Sequence, residues 1–145
     1  MWFSPELNEV YEKGIKLAID DAGYRPVRID RVNHNNKIDD EIIAEIRRSK
    51  FVVADFTSEL LSRQRPDGTA YKEAFVRGGV YFEAGFAKGL GRQVIWTVRK
   101  DVADANALHF DTRQYSHIVW EDFADLRARL SQRISATLGD GPLKK

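Results

Sequence analysis

The chain contains no cysteine among its 145 residues. That absence excludes a disulfide framework, a thiolate metal centre and a cysteine nucleophile. Histidine is scarce, and His34, His109 and His117 lack the spacing of metal ligands, so neither a metal nor a cofactor is expected. No apolar run approaches the ~20 residues that span a bilayer, and no signal-peptide pattern opens the chain. No membrane partner is therefore expected, and the cytoplasm is the expected compartment. An excess of charge of one sign is also missing. Twenty-three Lys and Arg against twenty-two Asp and Glu leave +1, which argues against nucleic acid as a partner. There is no Walker sequence, no nucleophile elbow around a serine, and no dinucleotide fingerprint, because Gly89-Leu90-Gly91 closes a helical pattern instead of opening one.

What remains is an ordinary globular composition, with 43% hydrophobic and 31% charged residues and no repeats or low-complexity tracts. A chain of this length suits one domain, which buries roughly 70% of its unfolded surface. The expected organisation is a single domain over 1–140 with a tail at 141–145.

Along the chain, helical and strand-like patterns alternate. Pro5–Ala22 reads as a helix with Ser4 as N-cap, Pro5 in the first helical position and Gly23 after the last turn. Helices are also expected over Asp39–Arg48, Gly79–Leu90 and Phe123–Leu138. Strands are expected at Arg25–Ile29, Phe51–Ala54, Gln93–Val98 and His117–Trp120. Such alternation predicts a three-layer, flavodoxin-like (Rossmann-like) α/β domain with a mainly parallel sheet of about five strands. Its first strand is expected to be truncated or very short, or to begin upstream of this sequence, since only Met1–Phe3 precede the first cap. Ser58–Arg77 and Asp104–Gln114 escape the alternation. The first is far longer than the ~2–6 residues of most α/β connections and contains the turn signal Arg65-Pro66-Asp67-Gly68. It is read as a lid, a binding loop or a surface insertion.

Ligands of open α/β sheets sit beyond the carboxyl ends of the strands, which directs attention to the loops and helix starts there. Glu83 falls on the same helical stripe as Val80, Ala84 and Ala87. A carboxylate on an apolar stripe is costly unless paired or used, and the helix start at Gly78 and Gly79 favours an anion. Asp39 falls on the stripe of Ile42, Ile43 and Ile46, whereas Asp40 lies off it and suits an N-cap. Asp55 ends a strand and serves either a ligand or the next turn through Thr57.

The runs Phe51-Val-Val-Ala-Asp55-Phe-Thr, Gly78-Gly-Val-Tyr-Phe-Glu83-Ala-Gly-Phe-Ala87 and Gly89-Leu-Gly-Arg-Gln-Val-Ile95 resemble the nucleoside 2-deoxyribosyltransferase-like family. That family includes deoxynucleotide N-hydrolases and is related to Toll/interleukin-receptor-type NAD glycohydrolases. The likeness extends from Met1 to about Trp120 and includes Trp2-Phe3 and Ile38–Ile46. It implies cleavage or transfer of an N-glycosidic bond in a nucleoside or nucleotide, with Glu83 as nucleophile. Asp39, Asp40 or Asp55 would donate a proton or hold a hydroxyl. Trp2 and Phe3 would flank the base, and the helix starts at Ser4, Gly78 and Gly79 would meet a phosphate. A homodimer or larger homo-oligomer is implied, with Phe110–Tyr115 as an interface segment. NAD cleavage by the same glutamate and a non-catalytic nucleotide-sensing module are the alternatives.

Overall fold

The computed structural model describes residues 5–28, 38–76 and 78–145, and leaves out the side chains of Ile38, Asp39, Gly78 and Phe110. The first helical stretch runs through α1 (Pro5–Glu9), a π-helical segment (Val10–Ile15) and α2 (Lys16–Asp21). Gly23, at φ 85°, ends it in a Schellman arrangement. Its N–H donates to Asp20 O, and Tyr24 N–H donates to Ile19 O. Then follow α3 (Ile38–Arg48), β1 (Phe51–Asp55), β2 (Leu60–Gln64), β3 (Ala70–Ala74) and α4 (Gly78–Gly89). The chain finishes with β4 (Gln93–Arg99), α5 (Lys100–Asp104), α6 (Phe110–Arg113), β5 (His117–Trp120) and α7 (Phe123–Leu138). Asp122 caps α7 by accepting from Asp125 N–H.

The central sheet has three parallel strands in the order β1-β4-β5. Its strands are near-continuous apolar runs because both faces are covered. One face buries Ile95, Ile118 and Trp120 under Leu7, Val10, Ile15, Leu126, Leu130 and Ile134 of the first helical stretch and α7. The opposite face buries Ala54, Val94, Trp96 and Val98 with Ile46 of α3, Ala84 and Ala87 of α4 and Val102 of α5. The molecule is thus a mixed α/β protein, as expected in class. Among the described residues, however, the parallel sheet has three strands, and the remaining two form a separate antiparallel pair.

Three expectations are corrected in detail. Residues 25–28 carry no strand: Pro26 removes a ladder donor, and Val27 faces solvent. Ser58–Arg77 is not an irregular loop. Its core is the hairpin β2–β3, closed by Pro66-Asp67-Gly68 with Gly68 at φ 86°. Gly68 N–H donates to Arg65 O and Arg65 N–H to Thr69 O, the three-residue turn that Gly at an αL position permits. Asp104–Gln114 likewise contains the short helix α6. Met1–Phe3, the expected stub of a first strand, lie outside the described residues.

Gly14 lies in the π-helical segment, where an added Cβ would sit 2.6 Å from Leu126 Cδ2. Since Leu126 is fully buried, the close approach of the first helical stretch and α7 depends on that missing side chain. Gly14→Ala should cost about 1–3 kcal/mol by overpacking, and Leu126→Ala about 2–5 kcal/mol. In chemical denaturation the double variant should lose less than the sum of the two. Strict additivity would mean that the two positions do not share this contact.

Candidate active site at the carboxyl end of the sheet

Because β1, β4 and β5 are parallel, their exits Asp55, Arg99 and Trp120 share one edge of the sheet. A hydrogen-bonded clasp joins two of these exits. Asp55 is buried; its Oδ2 accepts from Thr97 Oγ1 at 2.5 Å and its Oδ1 from Thr57 N–H at 3.1 Å. Thr57 Oγ1 in turn accepts from Arg99 N–H at 3.0 Å. The Asp55–Thr57 bond is the turn-capping role that the sequence left open for Asp55. The Arg99 guanidinium bonds Asp101 at 2.7 Å and also Glu6 in the first turn of α1. The start of the first helix therefore lies at this same edge.

Desolvation pushes the Asp55 carboxyl above its usual range, against the lowering effect of Thr97, Thr57 and the nearby Trp120 indole. The Trp120 N–H is buried and makes no hydrogen bond of normal geometry, so Thr97 and Thr57 are the bonded partners of the carboxyl. Ser58, next along the chain, is 2% exposed and its Oγ has no partner.

On the opposite face of the sheet, Phe56 is buried immediately beyond β1 and its ring lies 5.0 Å from that of Tyr81 in the first turn of α4. This contact sets the start of α4 at the carboxyl edge. Val80, Ala84 and Ala87 are buried as the stripe predicts, and Glu83 is half-buried beside them. Tyr81 Oη also accepts from His109 N–H at 3.3 Å. Helix α3 enters β1 after two residues and packs against α4. Its last turn therefore lies near the start of β1, and about 16 Å of helix carries its start, with Asp39 and Asp40, toward the carboxyl edge. Asp40 is exposed.

The candidates therefore fall into two sets. Glu83, Gly79 and the start of α3 belong to one face of the sheet. The Asp55 carboxyl lies on the other, between β1 and β4, and is engaged with Thr97 and Thr57. Gly79 is exposed with open space around its Cα. Gly78 begins α4. Trp2, Phe3 and Ser4 fall outside the described residues, as does the side chain of Asp39. Tyr115 of the expected interface segment packs into its own chain, stacked on Trp96 at 4.8 Å with Lys88 Nζ above it at 4.6 Å.

Sequence reasoning missed Thr97, Arg99 and Ser58. Thr97 left a signal, as a polar residue inside the apolar run Val94-Ile-Trp-Thr97-Val98. Among the described residues, no group of three or more acidic or histidine side chains is arranged to hold a metal. No helix among them is long and apolar enough to cross a membrane. An open groove of about 740 Å³ lies elsewhere, between Asp21, Gln132, Ser135 and Lys144. No family model, curated protein or solved structure matches the chain.

With its folded pKa raised, Asp55 holds a proton more tightly in the native than in the unfolded chain. The associated stability is present below the unfolded carboxylate value of about 4 and is lost as pH rises through the folded value. Asp55→Asn retains an acceptor and cannot ionise. Its melting temperature relative to wild type should therefore improve between pH 4 and pH 7. A relative decline over that interval would show that the ionised carboxylate stabilises the clasp.

Proposed function

We propose that the chain is a flavodoxin-like domain that cleaves or transfers an N-glycosidic bond of a nucleoside or nucleotide, with Glu83 as the nucleophile. The observation that carries this reading is a half-buried carboxylate beside the apolar stripe of α4, close to the carboxyl edge of a parallel sheet. Such an edge is where open α/β sheets bind ligands. The proposed chemistry needs little else. An oxocarbenium-like transition state is met by a carboxylate at the anomeric carbon, and a second acid protonates the departing base. Glu83 attacks to give a glycosyl ester. Water then releases the sugar, or a second base accepts it.

For the second acid, Asp39 and Asp40 at the start of α3 belong to the same face of the sheet as Glu83. Asp55 fits less well, because both of its oxygens are bonded within the clasp; its part is to hold the edge in shape. The helix starts at Ser4 and at Gly78 and Gly79 would meet a phosphate, and Trp2 and Phe3 would flank the base. Two cations of the hairpin that would be near enough to serve a phosphate are engaged within it, since Arg63 bonds Glu73 at 3.0 Å and Lys72 bonds Ser62 at 2.6 Å.

The test is a panel of deoxynucleosides, their 5′-monophosphates and NAD, read by release of free base. Glu83→Ala should lower release by several orders of magnitude on whichever substrate reacts, while thermal melting stays near wild type. Substantial residual turnover in a folded variant would remove Glu83 from the role of nucleophile. Reaction with NAD alone would favour the glycohydrolase alternative.

A further inference from the structure

The hairpin β2–β3 has two faces of different character. Its register pairs Leu60 with Ala74, Leu61 with Glu73, Ser62 with Lys72 and Arg63 with Tyr71, and directly opposed residues point to the same side. Leu60, Ala74 and the following Val76 pack against the core beneath α4, so the even-numbered side faces the body of the protein at its base. The odd-numbered side faces away. It bears Glu59, Leu61, Arg63 and Arg65 along one edge and Tyr71, Glu73 and Phe75 along the other; Phe75 N–H donates to Glu59 O, which extends the ladder to that pair.

Three large hydrophobic residues stand on this outward side, with Leu61 38%, Tyr71 37% and Phe75 53% exposed. An isolated two-stranded hairpin is at best marginally stable in water, and a hairpin with one apolar face open to solvent invites a partner.

The charges on that side identify the partner. Arg63 and Glu73 bond each other at 3.0 Å within the hairpin, which leaves Glu59 at the base and Arg65 toward the tip as its end charges. The side is neutral as a whole, which does not suit a nucleic acid, yet it is graded along its length from acid to base. A graded neutral strip complements its own copy turned end for end: a two-fold axis through its middle sets each arginine-bearing tip against an acidic base. We propose that two copies of this chain associate through the outward faces of their hairpins, packed antiparallel so that Arg65 of each meets Glu59 of the other. Leu61 of each copy then meets Tyr71 of the other at the centre of the contact, Phe75 flanks it toward each end beside Glu59, and the sheets lie roughly 10 Å apart. The contact does not depend on the proposed activity, and it uses a segment other than Phe110–Tyr115.

Sedimentation equilibrium of the full chain provides the test. The wild type should be a dimer. Glu59→Arg and Arg65→Glu should each raise the dimer dissociation constant about tenfold or more, because each places like charges opposite one another. Mixing the two single variants should restore association as a heterodimer, since every facing pair is then again opposite in sign. That rescue separates a broken interface from a damaged hairpin. A wild type that remains monomeric throughout the micromolar range overturns the proposal. So does a dimer indifferent to both variants, or a mixture that fails to recover.

Discussion

The carboxyl edge of this protein depends on one buried acid. Asp55 is where β1 must stop being a strand, and its two oxygens bind the turn that follows and the neighbouring strand. Thr57 then passes the restraint to the backbone of Arg99, whose side chain reaches the first turn of α1. Two strand exits and one helix start are thereby fixed by a chain of four residues. Such an arrangement needs a completely satisfied carboxyl, because a buried polar group that loses a partner costs about 1–3 kcal/mol. An acid with both oxygens engaged shapes the edge, and the half-buried Glu83 stands on a helix whose start is anchored separately by the Phe56–Tyr81 contact.

The elements legible in the sequence are those whose signal is local. The last helix, expected over Phe123–Leu138, was legible because periodicity specifies a helix without help from the rest of the chain, and the structure bounds it with Asp122 and Gly139. The strands β1, β4 and β5 were legible as short apolar runs for the same reason. The hairpin was not. Its strands carry Arg63, Gln64, Lys72 and Glu73, whose stability as a ladder comes from cross-strand partners such as Arg63–Glu73 and Lys72–Ser62, a property of register that spacing along one strand does not reveal. The Pro66-Asp67-Gly68 turn was visible, but a turn alone does not distinguish a hairpin from a loop.

Residues 25–28 show the converse. A short strand was expected there, yet Pro26 interrupts the donor pattern, and Tyr24 anchors the segment by edge-on contact with Phe51 at 5.3 Å rather than by a ladder. Nearby, Gly23 and Gly141 approach so closely that a Cβ on Gly141 would lie 2.1 Å from Gly23 O. The tail at 141–145 is hydrogen-bonded to the end of the first helical stretch, with Gly141 N–H donating to Ala22 O at 2.8 Å and Leu143 N–H to Gly23 O at 3.0 Å. A contact between two glycines far apart in the chain leaves no periodic trace, so only the folded chain reveals it.

The hairpin and the candidate site are linked by the chain itself. β3 runs through Phe75 and Val76 directly into the start of α4, and β2 begins five residues after Asp55. Any load on the hairpin is therefore transmitted to both boundaries of the carboxyl edge: to the Asp55 turn on one side and, on the other, to the helix that carries Glu83. The inward residues Leu60, Ala74 and Val76 tie the base of the hairpin to the same core that holds Val80 and Ala84, whereas the tip is exposed. Holding the tip against a second chain would restrict the hairpin along its whole length and narrow the range of positions open to the first turn of α4. In that arrangement association and the shape of the carboxyl edge would both depend on one segment, the hairpin between β1 and α4.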